Sequence, residues 1–101
     1  MIRATLRMRV LPGREQDFAD AWEKVALATS RTPGNLRQSL LRGGPCEYVI
    51  TSDWESRDAF HAFERSPEQD ALTAPLRELR ETAQMDISEI VLHVEKEDRR
   101  S

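Results

Sequence analysis

The run Leu36-Arg37-Gln38-Ser39-Leu40-Leu41-Arg42, the link Gly43-Gly44-Pro45-Cys46 and the run Glu47-Tyr48-Val49-Ile50-Thr51-Ser52-Asp53-Trp54 read as two strands and a tight connection. A short Gly/Pro link between strand-length segments is hairpin chemistry. Side chains alternate across a strand, so Tyr48, Ile50, Ser52 and Trp54 share one face of the second strand. Val49, Thr51 and Asp53 share the other. A central antiparallel pair is the pivot of the chain, and its flanks decide the fold.

Towards the N-terminus, Thr32-Pro33-Gly34 breaks the chain, and before it the period changes. Between Arg14 and about Ser30, Phe18, Trp22, Val25, Ala26 and Thr29 form one stripe of a helix. Earlier still, Ile2, Ala4, Leu6, Met8 and Val10 alternate with Arg3, Thr5, Arg7 and Arg9, a half-buried strand that Pro12-Gly13 ends. Towards the C-terminus, Ser56 can cap a helix carrying Ala59, Phe60 and Phe63. Ser66-Pro67-Glu68-Gln69 then sets a second start, with serine at the cap, proline in the first turn and a capping-box glutamine. Leu72, Leu76 and Leu79 continue its stripe, and Pro75 is expected to kink or restart that helix. Met85 to about Val94 reads as a last strand, apolar on both faces.

The order β-α-β-β-α-β predicts an α+β, ferredoxin-like fold with helices on one face of a four-stranded antiparallel sheet. Residues 1–94 make one domain and 95–101 a charged tail. The other sheet face needs cover, and a second copy of the chain is the expected partner. Arg3, Thr5, Arg7 and Arg9 are not an apolar dimer face, so a wet, charged interface or a partly filled barrel interior is expected there.

At 101 residues the chain buries only a modest core, a further reason to dimerise. A net charge of −3 supplies no footprint for nucleic acid. Cys46 is the one cysteine, so no internal disulfide forms, and no apolar run is long enough to span a membrane. A cytoplasmic protein follows from these two readings. His61, His93 and Cys46 lie on separate elements without ligand spacing, so no metal site is expected. Gly43-Gly44 sits inside a hairpin and cradles no phosphate. Cys46, in a turn with no histidine near it, reads as an inert thiol.

His61 stands beside Phe60 and Phe63 on an amphipathic helix. It is either a boundary residue or a general base at the mouth of a cleft, since imidazole titrates near neutrality. Trp54 ends its strand where the next helix begins. It is either core or a cleft wall whose indole N–H meets a bound oxygen. Tyr48 and Ser52 share its face and offer polar contacts, while Trp22, Phe60 and Phe63 are core or wall. Gln38 points with Leu36 and Leu40, where an amide needs a protein or ligand partner.

Three stretches together resemble the antibiotic biosynthesis monooxygenase family of the dimeric α/β-barrel superfamily. They are Arg3–Val10 running into Pro12-Gly13-Arg14-Glu15, Tyr48–Phe60 with its Trp54-Glu55-Ser56-x-x-Ala59-Phe60 segment, and Ser66-Pro67 before a Leu-rich helix. The similarity covers roughly residues 2–94. It implies a homodimer and a cofactor-independent monooxygenase that oxidises an aromatic polyketide of the anthrone or hydroquinone type to a quinone. Molecular oxygen would be the co-substrate, with neither metal nor flavin. Trp54 and His61 would be catalytic, and Gln38, Tyr48, Ser52, Trp22, Phe60 and Phe63 would bind substrate. Ile50 and Phe60 stand where the oxygenase branch carries an Asn and a Tyr. The Asn, Trp and His of the haem-degrading branch have no counterparts, which points away from haem degradation. A polyketide cyclase or isomerase of the same fold, or a binding subunit without catalysis, are the alternatives.

Overall fold

The computed structural model describes residues 1–96, so the expected charged tail lies outside the described residues from position 97 onward. The elements run β1 (Ile2–Val10), α1 (Glu15–Thr29), β2 (Asn35–Arg42), β3 (Glu47–Trp54), α2 (Arg57–Glu64), α3 (Pro67–Glu78) and β4 (Arg80–Glu89). The strands form one four-stranded antiparallel sheet in the order β2-β3-β1-β4. This is the ferredoxin-like βαββαβ architecture, with the second helical region divided in two.

The turns explain where elements stop. Gly34 takes a φ of +90° between α1 and β2, a conformation open chiefly to glycine. A Cβ there would come within 2.5 Å of the Ala59 Cβ, so α2 packs directly on that bare backbone. Ser56 caps α2 by accepting a hydrogen bond from the Ala59 N–H. Ser66 caps α3 through the Gln69 N–H at 3.1 Å. The reciprocal half of the expected capping box is not made: the Gln69 amide turns to the Thr73 hydroxyl at 3.4 Å.

Two expectations need correction. Pro75 does not restart the helix, because α3 runs as one element from Pro67 to Glu78 with the proline inside it. Proline removes the N–H that would reach the Ala71 carbonyl, yet its φ is helical, and the packed Leu72, Leu76 and Leu79 stripe holds the helix together. The last strand is Arg80–Glu89 rather than Met85–Val94. Its limits are set by β1: Val10 pairs with Arg80 and Ile2 with Glu89. One more bond, from the Ile90 N–H to the Met1 carbonyl at 2.9 Å, closes the ladder. Val91, Leu92 and Val94 then have no strand to pair with and stay exposed.

Helices cover the face made by the even-numbered β1 residues. One core cluster gathers Met8, Val10, Phe18, Val25, Tyr48, Leu76 and Leu79, and a second gathers Ile2, Ala4, Trp54 and Phe60. The opposite face is polar but not loose. Asp53, 2% exposed, takes the Arg3 Nε and Nη2 at 2.7 and 3.0 Å and the Arg37 Nη1 at 2.6 Å.

Candidate functional site

Between the two core clusters the sheet and helices do not meet fully, and a cavity of about 210 Å³ remains. Ala4, Leu6, Gln38, Ile50, Ser52, Trp54 and Met85 floor it from the sheet. Trp22, Val25 and Thr29 of α1, Phe60 and Phe63 of α2, and Thr73 and Leu76 of α3 roof it. The floor exists because β-strand alternation sends every second residue of β1 and β3 inward, and two of those inward residues, Ala4 and Ser52, are small.

Trp54 is fully buried. Its ring meets Phe60 edge-on, with centroids 5.7 Å apart and planes at 62°, and lies 5.0 Å from Phe63. Such tilted aromatic contacts add to burial and hold the ring in one pose. The indole Nε1 donates to the Ser52 Oγ at 3.0 Å. Ser52 thus accepts from Trp54, and its hydroxyl proton has no acceptor among the described residues. Directly across the ladder from Ser52 stands Gln38. The Gln38 Nε2 donates to the Ala26 carbonyl at 2.8 Å, which leaves the amide oxygen as the open acceptor. One donor and one acceptor therefore sit side by side on an otherwise apolar floor.

The charged groups of the lining are Glu64, Arg77 and Arg80. Arg77 reaches the Thr73 hydroxyl at 2.8 Å, the Asp70 carbonyl at 3.1 Å and the Asp70 carboxylate at 3.3 Å. Arg80 is half-buried. Burial pushes its guanidinium below the ordinary value, and the like charge of Arg77 adds to that.

Of the residues singled out in the sequence, Trp54, Gln38, Ser52, Trp22, Phe60 and Phe63 line this cavity together, and two do not. Tyr48 faces the helices but lies at the far end of β3, opposite Met8, packed on Phe18 with ring centroids 5.7 Å apart. His61 follows Phe60 on α2, and one helical residue is a rotation of about 100°. The imidazole therefore turns outward, 42% exposed, and its Nδ1 lies 3.4 Å from Glu64. Its position is that of a boundary residue.

Arg80, Thr29, Thr73 and Met85 carried no signal in the sequence as site residues. Only the sheet register, which pairs Arg80 with Val10, places it on the inward face. Cys46 is buried, with its Sγ 3.5 Å from the Glu15 carboxylate. Burial, then that hydrogen bond and charge, push its thiol up, which suits an inert role. Among the described residues no cluster of three or more His, Cys, Asp or Glu side chains could hold a metal ion. Nor is any helix among them long and apolar enough to cross a membrane.

A wider groove of about 570 Å³ adjoins the cavity. It runs between Ala28–Gly34, α2 and the start of α3, and shares Thr29, Phe63 and Gln69 with the cavity. Those three side chains line both the inner, largely apolar chamber and the outer groove.

Comparison with known proteins bears on this geometry. The family model described as antibiotic biosynthesis monooxygenase matches residues 1–75. A 42.8 kDa protein of the whiE locus of Streptomyces coelicolor is 31% identical over 77 residues, which is 74% of this chain and 19% of that protein. Protein SchA of Streptomyces halstedii is 30% identical over 77 residues, 74% of this chain and 20% of its own. The chain thus spans about a fifth of the length of the curated relatives it matches. A variant of SnoaB, a cofactor-independent oxygenase from Streptomyces nogalater, superposes with a TM-score of 0.84 at 24% identity, covering 94% of this chain and 97% of that one. That likeness establishes a shared fold.

Proposed function

The chain belongs to the antibiotic biosynthesis monooxygenase family, and from that membership and its cavity we propose that it oxidises an anthrone- or hydroquinone-type aromatic polyketide to a quinone, using O₂ without bound metal or flavin. The observation that carries the proposal is the chamber that Trp54, Phe60 and Phe63 line together with the Ser52 donor and the Gln38 acceptor. SnoaB, of the same fold, is a cofactor-independent oxygenase.

The proposed chemistry asks little of the protein. An anthrone loses a benzylic proton to solvent at the mouth of the chamber and gives an enolate, which is electron-rich enough to pass an electron to O₂; the peroxide formed on recombination takes a proton back from solvent. Recombination and loss of water turn the methylene into a carbonyl, so that one anthrone and one O₂ give one quinone and one water. Ser52, polarised by the Trp54 indole, donates to the enolate oxygen, and Gln38 accepts from a neighbouring phenol. Donors already in place on a largely apolar wall are effective stabilisers of developing negative charge. Thr29, Phe63 and Gln69 would admit the flat ligand from the outer groove.

This reading fits the cavity better than a cyclase or isomerase, which needs placed acid and base groups. Among the described lining residues the only ionisable ones are Glu64, Arg77 and Arg80. The readiest source of reactivity is the substrate itself.

A homodimer is part of the proposal. Leu41, Val91, Leu92 and Val94 are exposed apolar residues that a second copy would cover. A reducing cytoplasm suits the lone buried thiol.

The test is oxygen uptake on adding dithranol to metal-free protein, against a boiled-protein blank. Protein-dependent uptake with quinone formation is expected. Binding of dithranol without uptake would overturn the oxygenase reading in favour of a cyclase or a non-catalytic binding protein.

A further inference from the structure

The cavity has an electrically unfinished end. Arg80 opens β4 opposite Val10, whereas Ser52 stands opposite Ala4. Six residues of β1 separate those rungs, about 20 Å between backbones, but the floor of the chamber ends at the Leu6, Ile50 and Met85 rung, and the long Arg80 side chain reaches back to it. The Arg80 side chain leaves the inward face at the Val10 rung and lines the same chamber as Trp54. It is half-buried, and no carboxylate pairs with it among the described residues. Arg77, which also lines the chamber, is committed to Thr73 and Asp70. Glu64, the carboxylate of the lining, lies at the rim beside His61. A partly desolvated cation in an apolar wall without a counter-ion is unfavourable, and a bound anion relieves it.

From this geometry we infer that the chamber selects an aromatic ligand bearing a carboxylate at the end remote from Trp54, and that Arg80 is the residue that reads it. The inference rests on the aromatic-oxidation reading and adds a specificity group to it. A guanidinium offers a planar fork of N–H donors that fits a carboxylate in two parallel bonds, which neither a phenol nor a methyl group can use. The ligand then spans the chamber, its oxidised ring over Ser52 and Gln38 and its acid at Arg80. The burial that depresses the Arg80 guanidinium is the same burial that a carboxylate would offset.

Rhein and chrysophanol form a matched pair of tricyclic probes, differing only in a carboxylate in place of a methyl group. Their dissociation constants near neutral pH can be read from quenching of tryptophan fluorescence, since Trp22 and Trp54 both line the chamber. For the unmodified protein rhein is expected to bind at least about tenfold more tightly than chrysophanol. In Arg80→Gln that ratio is expected to fall close to one, and in Arg77→Gln to persist. A ratio taken within one variant cancels any general loss of stability. No preference in the unmodified protein, or a preference that survives Arg80→Gln, would overturn the inference and leave the aromatic chamber standing. A preference abolished by Arg77→Gln alone would overturn the assignment to Arg80. Binding of neither probe would overturn the aromatic chamber and this inference together.

Discussion

Replacing Asp53 by Asn removes a charge at the most buried ionic contact of the sheet while keeping the shape of the side chain. The Asp53 side chain is 2% exposed, and its two oxygens receive three guanidinium N–H groups at 2.6, 2.7 and 3.0 Å. Charge-assisted bonds of this kind contribute about 1.5–3 kcal/mol each when fully desolvated. Arg3 and Arg37 are 44% and 41% exposed, so water and salt screen much of that gain. A net loss of about 2 kcal/mol is therefore expected, or about 8–16 °C in melting temperature for a domain of this size. The hydrogen bond from Arg3 is the chief cause that holds the Asp53 carboxyl below its ordinary value, with Arg37 adding to it. A carboxyl depressed in the folded state stabilises the fold above its unfolded value of about 3.9, and that stabilisation is lost as pH falls through the folded value. Urea melts followed by circular dichroism should thus show a gap between wild type and Asp53→Asn at neutral pH that narrows below about pH 4. A gap of less than about 0.5 kcal/mol at neutral pH, or one that stays constant into acid, would refute the reasoning.

Two further outcomes bear on the chemistry. Trp54→Phe removes the N–H that polarises Ser52, and kcat/KM for dithranol oxidation is expected to fall about tenfold. The melting temperature is to be recorded alongside, and undiminished turnover in a folded variant would remove the relay from the mechanism. His61→Ala is expected to leave oxygen uptake within about twofold of wild type, because the imidazole lies outside the chamber. A loss of about a hundredfold, of the size general bases contribute, would restore it as the base.

The inward-facing pattern of the sheet was legible in the sequence because alternation is local. Ile2, Ala4, Leu6 and Met8 on one strand and Ile50, Ser52 and Trp54 on another needed only a period of two. The same rule put Tyr48 with Trp54, and the structure separates them, since residues six apart on a strand stand about 20 Å apart. Phe60 and Phe63 followed from helical spacing, but the outward turn of His61 depended on which side of α2 meets the sheet. The beginning of β4 was illegible for a physical reason. Arg80–Gln84 carries no strand signature of its own and is drawn into the sheet by pairing with β1. With that register hidden, Arg80 could not be placed in the chamber.

The two faces of the sheet are coupled through their rungs. Arg3 on β1, Asp53 on β3 and Arg37 on β2 are direct ladder partners, so the ion cluster is a single rung spanning three strands on the outer face. The neighbouring rung is Ala4, Ser52 and Gln38, and it points inward as the chamber floor. Neighbouring residues on a strand project to opposite sides, so every polar group of the floor lies one residue from a member of the cluster. Three backbones pinned behind the floor fix the spacing between the Ser52 hydroxyl and the Gln38 amide oxygen, which span two of those strands. A site that works by holding one donor and one acceptor needs that spacing more than it needs reactive side chains. The buried carboxylate on the far face thus serves the chamber by stiffening it, although it touches nothing inside it.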